Sequence, residues 1–185
     1  MDKRELRRAM RQRKAQVTAS DMLAEAQVVF AAIEQTPQFA SSSNILLYHS
    51  LPDELPTHSI IERWSKSKIK NIFLPRVNGD TLDIVPLEGQ LTSANRFHIA
   101  EPQGEPIDPQ VIDLIIVPAV ALDPQGHRLG RGKGFYDRLL STTEAYTIGV
   151  VMECQLVDNV PCEPHDISLN AVITSTHQYY GINNR

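Results

Sequence analysis

The run Leu114-Ile-Ile-Val117 limits the fold of this chain more than any other segment. Continuous apolar residues of this kind make a strand buried on both faces, which is the central strand of a sheet covered on both sides. The surrounding segments supply the cover. Lys3 to Lys14 reads as a helix, with Leu6, Met10 and Val17 near one face and Lys3, Arg7, Arg11 and Lys14 along another. Thr18, with Asp21 three residues on, starts a second helix that carries Met22, Ala26, Val29 and Ile33, and Pro37 stops it. Ile45–Tyr48 reads as a short strand. Thr57–Lys68 reads as a helix capped by Thr57, with Ile60, Ile61 and Trp64 on its core face. Asn71–Leu74 and Thr81–Val85 are strands joined by an Asn78-Gly79 turn. A helix over Gly134–Leu140 and strands over Thr147–Val151 and Ala171–Thr174 complete the order.

That order predicts an α/β fold: a single-domain three-layer α/β/α sandwich over residues 1–185, with a central mixed, mostly parallel sheet. At 185 residues one domain accounts for the whole chain. Residues 86–109 show weak periodicity and several prolines, which suits a long functional loop or flap. Apolar runs stay far below the roughly 20 residues of a membrane span. Cys154 and Cys162 form no framework, and free thiols fit a cytoplasmic protein. The histidines (His58, His98, His127, His165 and His177 among them) lack the paired spacing of a zinc site.

The net charge of −4 is unevenly spread. Residues 1–14 hold seven bases and two acids, so a basic arm precedes an acidic body. Such an arm suits either nucleic acid or an anionic small ligand.

The strongest functional signal follows the central strand. Gly130-Arg-Gly-Lys-Gly134 alternates glycine with base and leads into a helix. Glycines let backbone amides converge on an anion, a helix N-terminus adds unpaired N–H groups, and Arg131 and Lys133 add full charges. This is the chemistry of a polyphosphate cradle. It is not a P-loop, since His127 stands where the first glycine belongs and Gly134 where Ser or Thr belongs. Asp123 and Asp137 nearby offer carboxylates of the kind that hold Mg²⁺.

The segment Arg128-Leu-Gly-Arg-Gly-Lys-Gly-Phe-Tyr-Asp137, after Val117-Pro-Ala-Val-Ala-Leu-Asp123, resembles the signature of the 5-formyltetrahydrofolate cyclo-ligase family, also called methenyltetrahydrofolate synthetases. Lys3-x-x-Leu6-Arg7, Tyr48 to Thr57, Leu74-Pro-Arg-Val77 and His165-Asp166 match further motifs of that family in the same order. The resemblance implies a soluble ligase that uses MgATP to cyclise 5-formyltetrahydrofolate to 5,10-methenyltetrahydrofolate, acting as a monomer without nucleic acid or membrane. It implies ATP contacts from Lys3, Arg4, Glu5, Leu6 and Arg7, and from Arg128, Leu129, Gly130, Arg131, Gly132, Lys133, Gly134, Phe135 and Tyr136. Arg131 and Lys133 would stabilise the transferring phosphoryl group. His49, Glu54, Arg131 and Phe135 would contact the folate, and Asp137 would bind Mg²⁺. The family's second metal-proximal Asp is Asn170 here, and Phe135 stands where many relatives carry Tyr. Asp166 caps or braces the site. Taken without the resemblance, the residues also admit a sugar-phosphate isomerase or transferase using the same cradle. They admit a nucleic-acid or folate-binding module as well, against which stand the acidic body and few aromatics.

Overall fold

The apolar run at 114–117 occupies the middle of a seven-stranded sheet. The structure, a computed structural model, describes residues 1–88, 102–163 and 166–182. Its elements begin with helices α1 (Lys3–Lys14), α2 (Ala19–Glu34) and α3 (Pro37–Ser41), strand β1 (Asn44–Leu46) and helix α4 (His58–Ser67). The hairpin β2 (Asn71–Asn78) and β3 (Thr81–Pro86) comes next, then β4 (Leu114–Pro118) and a small hairpin of β5 (Ala121–Leu122) and β6 (Arg128–Leu129). Helix α5 (Phe135–Leu140), β7 (Tyr146–Val150), β8 (Ala171–Ile173) and β9 (Gln178–Tyr179) finish the order. The sheet runs β3-β2-β1-β4-β7-β8-β9. Its five inner strands are parallel, and the two edge strands, β3 and β9, are antiparallel. The mixed, mostly parallel sheet expected from the sequence is the one observed.

Alternate residues of each strand point to opposite faces. Leu114 and Ile116 join Ile45, Ile148, Val150 and Ile173 under α2 and α4, where Val29, Phe30, Ile33, Ile60, Ile61 and Trp64 are buried. Ile115 and Val117 join Leu46, Phe73 and Val172 on the other face, under Leu139 and Leu140 of α5. The central strand is therefore apolar throughout because neither side meets water. Helix α1 belongs to neither layer. Its Leu6 and Met10 pack on Val120, Ala121, Leu129 and Val160, a separate apolar cluster around the β5–β6 hairpin.

Local signals explain most boundaries. Thr18 and Asp21 form a reciprocal capping box at the start of α2, and Asp2 and Glu5 form another at α1. Two expectations need correction. Pro37 does not merely stop α2, which already ends at Glu34; it opens α3 as the first residue after the Thr36 cap. A proline loses nothing at that position, because its missing N–H would have no helical partner there. Thr57 precedes α4 but makes no side-chain cap. Its hydroxyl donates to Tyr48 O at 2.7 Å and accepts from Ser50 N at 3.0 Å, so it ties the 48–57 segment together instead.

Of the suggested flap, residues 89–101 lie outside the described ones. Its far end is pinned to the hairpin: Ile107 N donates to Ile84 O at 2.8 Å and Arg76 Nη1 to Gly104 O at 2.9 Å. No helix among the described residues is long and apolar enough to cross a membrane.

Candidate active site

The inner strands change direction of travel between β1 and β4: the chain leaves β1 for β2 on one side, then crosses to β4 on the other. Ligands of open parallel sheets bind beyond the carboxyl ends of the strands at such a switch. A cleft of about 450 Å³ opens there, between Tyr48 and His49 after β1 and Pro118 and Ala119 after β4. Pro75, Val77 and Leu82 of the hairpin give it an apolar wall.

The glycine–base turn forms the opposite wall, where Arg128 through Asp137 line the cleft as an unbroken run. Gly132 (φ +96°) and Gly134 (φ +67°) hold conformations that side-chain-bearing residues resist. A Cβ on Gly134 would also lie 2.9 Å from Arg138 Nη1. Helix α5 has only six residues, so its dipole is short, and the positive charge of the cradle comes mainly from side chains. Arg131 and Lys133 are exposed on the turn. Across from them α1 contributes Lys3 and Arg7 to the lining, and Arg7 Nε donates to Gly130 O at 2.9 Å. Arg4, Glu5 and Leu6 fall elsewhere: Arg4 is exposed outside the lining, Glu5 closes the capping box, and Leu6 is buried behind Leu129. A helix presents one face to the cleft, and positions 3 and 7 share it.

Two carboxylates flank Lys3: Asp166 Oδ2 at 2.6 Å and Glu163 Oε1 at 3.4 Å. Burial works against the ammonium charge, but the Asp166 hydrogen bond and both carboxylates outweigh it and hold the Lys3 pKa above its ordinary value. Asp166 thus braces the first basic residue. His165, its neighbour in the motif, lies outside the described residues.

Glu54 sits low in the cleft, its Oε2 accepting from Leu51 N at 3.0 Å and its Oε1 from Arg131 at 3.0 and 3.1 Å. Tyr48 and Leu55 close the same loop through a 2.8 Å bond from the phenol to the carbonyl. His49 stacks edge-on against His58, with ring centroids 4.2 Å apart. Burial and that neighbour lower its pKa, which favours neutral imidazole on this side of the cleft. Phe135 lines the cleft under the Arg138 guanidinium, 5.7 Å from its ring centre.

Arg128 is almost fully enclosed. Its Nη2 donates to Asp137 Oδ1 at 2.6 Å, its plane lies over Tyr136, and its Nε has no hydrogen-bond partner.

Asp123, a suggested magnesium carboxylate, and Asn170, which replaces the family's second metal-proximal Asp, both lie away from the cleft. Asp123 is wholly buried, accepting from the backbone of Gln125, His127 and Val160 and pairing with His127 Nδ1 at 2.9 Å. It is a loop brace, with its lone pairs committed. Asn170 Oδ1 accepts from Thr147 N and Oγ1, each at 2.8 Å, and lines a separate small cleft beside Thr143 and Tyr146. One residue that the sequence left unnamed joins the cleft's charges: Asp53 pairs with Lys14 of the basic helix face, and its Oδ1 also accepts from Arg131 at 2.5 Å. Proximity of Asp53 to Glu54 in the chain was the one signal for it.

Comparison with known proteins decides among the chemistries this cleft admits. Residues 1–175 match the model of the 5-formyltetrahydrofolate cyclo-ligase family. The chain belongs to that family. It is 31% identical over 176 residues to the 5-formyltetrahydrofolate cyclo-ligase of Escherichia coli, covering 89% of this chain and 96% of that one. Identity with the Mycolicibacterium smegmatis enzyme of the same name reaches 39% over 115 residues, which is 56% of this chain and 59% of that one. The NMR structure of Aquifex aeolicus 5,10-methenyltetrahydrofolate synthetase superposes with a TM-score of 0.88 at 28% identity, over all of this chain and 95% of its own. As a member of the cyclo-ligase family, the chain is read as a ligase, which sets aside the sugar-phosphate isomerase or transferase reading.

Proposed function

We propose that the cleft closes 5-formyltetrahydrofolate to 5,10-methenyltetrahydrofolate at the expense of ATP. The observation that carries the proposal is one cleft lined on one side by a glycine–base turn with Arg131 and Lys133 and on the other by Glu54 and His49.

A formamide oxygen leaves poorly. The formyl oxygen attacks the γ-phosphorus of ATP, ADP departs, and the oxygen becomes a phosphate ester on an imidate-like carbon. N10 then attacks that carbon and loses its proton, the C–O bond breaks with release of phosphate, which takes up that proton, and the methenyl cation remains. Little of this requires covalent help from the protein, so alignment and charge neutralisation do most of the work. Arg131 and Lys133 neutralise the transferring phosphoryl group, with Lys3 and Arg7 on the nucleotide's other flank. The backbone of residues 130–134 receives phosphate oxygens without Cβ interference. Glu54 accepts N–H bonds from the amino-pyrimidinone edge of the pterin, His49 and Phe135 pack along it, and the apolar wall of Pro75, Val77 and Leu82 keeps water from the activated ester.

Magnesium fits the donor set in a limited way. Among the described residues no three acids, histidines or cysteines gather into a metal cage, and Asp137 is the carboxylate within the cradle. That suits a cation carried largely by nucleotide oxygens and water, with Asp137 as its protein anchor; when bound it would offset charge on the phosphates. The family match over residues 1–175 supports a single functional domain. The unpaired cysteines fit a cytoplasmic enzyme.

Mixing the protein with 5-formyltetrahydrofolate and MgATP should generate the methenyl chromophore. No signal from folded protein, or an equal signal without ATP, would end the proposal.

A further inference from the structure

The groups expected to meet the two substrates are bonded to each other. Arg131 donates from Nε and Nη2 to Glu54 Oε1 at 3.1 and 3.0 Å, and from Nη2 to Asp53 Oδ1 at 2.5 Å. Asp53 is held in turn by Lys14, whose Nζ also donates to the Asp53 carbonyl at 3.0 Å. The chain Lys14–Asp53–Arg131–Glu54 therefore joins the end of α1, the 48–57 segment and the glycine turn across the cleft. Lys14 and Glu54 are largely enclosed, with side chains 10% and 13% exposed, so the ends of this chain are anchored while its middle stays accessible.

Two parallel N–H bonds from a pterin need both Glu54 oxygens on an open edge. Oε1 already takes two bonds from the guanidinium and Oε2 one from Leu51 N. Folate alone must therefore compete with Arg131. A triphosphate offers that guanidinium more charge and a bidentate fit, and draws it off the carboxylates. We propose that Asp53 is a positioning residue that parks Arg131 on Glu54, so that nucleotide binding frees Glu54 for the pterin and the two substrates bind with positive coupling. This rests on the cyclo-ligase reading above. By linkage the effect is reciprocal: folate must raise nucleotide affinity by the same factor.

Calorimetry on the intact protein tests it, titrating 5-formyltetrahydrofolate with and without Mg²⁺ and an ATP analogue whose β,γ-bridging oxygen is replaced by nitrogen. Folate affinity should tighten about fivefold or more with the analogue present, the lower range of allosteric couplings. Asp53→Asn removes the charge that strengthens the bond parking Arg131; its folate affinity without nucleotide should rise, and its coupling should shrink towards one. Independent binding of both ligands to the unsubstituted protein would overturn the latch while leaving the cyclo-ligase reading intact. Unchanged coupling in Asp53→Asn would overturn the role of Asp53. Failure of either ligand to bind at all would overturn the cyclo-ligase reading and the latch together.

Discussion

Trp64 and Arg131 both fasten separate pieces of chain, and they do so with opposite chemistry. Trp64 is buried against Phe30 of α2 and Phe39 of α3, with ring centroids 5.9 and 4.8 Å away, and its indole N–H donates to Glu34 at 2.6 Å. Arg131 reaches from a turn to two acids 77 and 78 residues away, in a cleft open to water. The first joint is strong because it excludes solvent, and it can hold only one arrangement. The second is a set of charge pairs that water weakens and a competing anion can replace. Rigidity lies in the α2/α4 layer and exchangeability at the strand ends, which is the division a ligand-binding enzyme needs.

Substitutions can break or sharpen that contrast. The largest effect is expected from Phe30→Ala: a cavity in the α2 layer should cost about 3–5 kcal/mol in urea unfolding, while the protein that stays folded keeps its nucleotide affinity. Arg131→Ala should do the reverse. Its kcat/KM for methenyl formation should fall roughly 100- to 1,000-fold, as for loss of one charge-stabilising donor, with an unfolding midpoint shifted by less than about 1 kcal/mol. If both variants lose stability equally, the contrast fails. Gly134→Ala should cost about 1–2 kcal/mol for its left-handed backbone and weaken nucleotide binding too, because Arg138 must move aside. The smallest effect concerns acid. Burial raises the Asp53 pKa, but Lys14 and Arg131 outweigh it and hold the carboxyl below its ordinary 3.8. A depressed folded pKa means this contribution is full above about pH 4 and fades as pH falls through the folded value. Carboxyl chemical shifts followed from pH 6 downward should show Asp53 titrating below the ordinary aspartate value, and Arg131→Ala should move it back up.

The sheet was legible because its signals are local. Apolar runs, the Asn78-Gly79 turn and the Thr18/Asp21 box each sit within a few residues, and the strands they imply appear within a residue or two except where β2 extends through Asn78 and β1 stops at Leu46. The Thr36-Pro37 pair is a helix start of the same local kind, because proline opens a helix at its first position as readily as it ends one further in. The glycine–base turn was also legible, since its composition is itself the chemistry. Partners were not. Whether Lys3 meets Asp166, or Arg131 meets Asp53, depends on which strand ends the topology brings together. Asp123 misled for that reason: Val160, 37 residues on, helps claim its carboxylate for the interior.

Helix α1 packs on the β5–β6 hairpin and Val160, outside both clusters that cover the sheet, so its release would leave those two clusters intact. Such a release would strip Lys3 and Arg7 from the cleft and Lys14 from Asp53 in one motion. An occupied nucleotide would in turn act as a clasp on that helix, visible as slower amide exchange across its backbone.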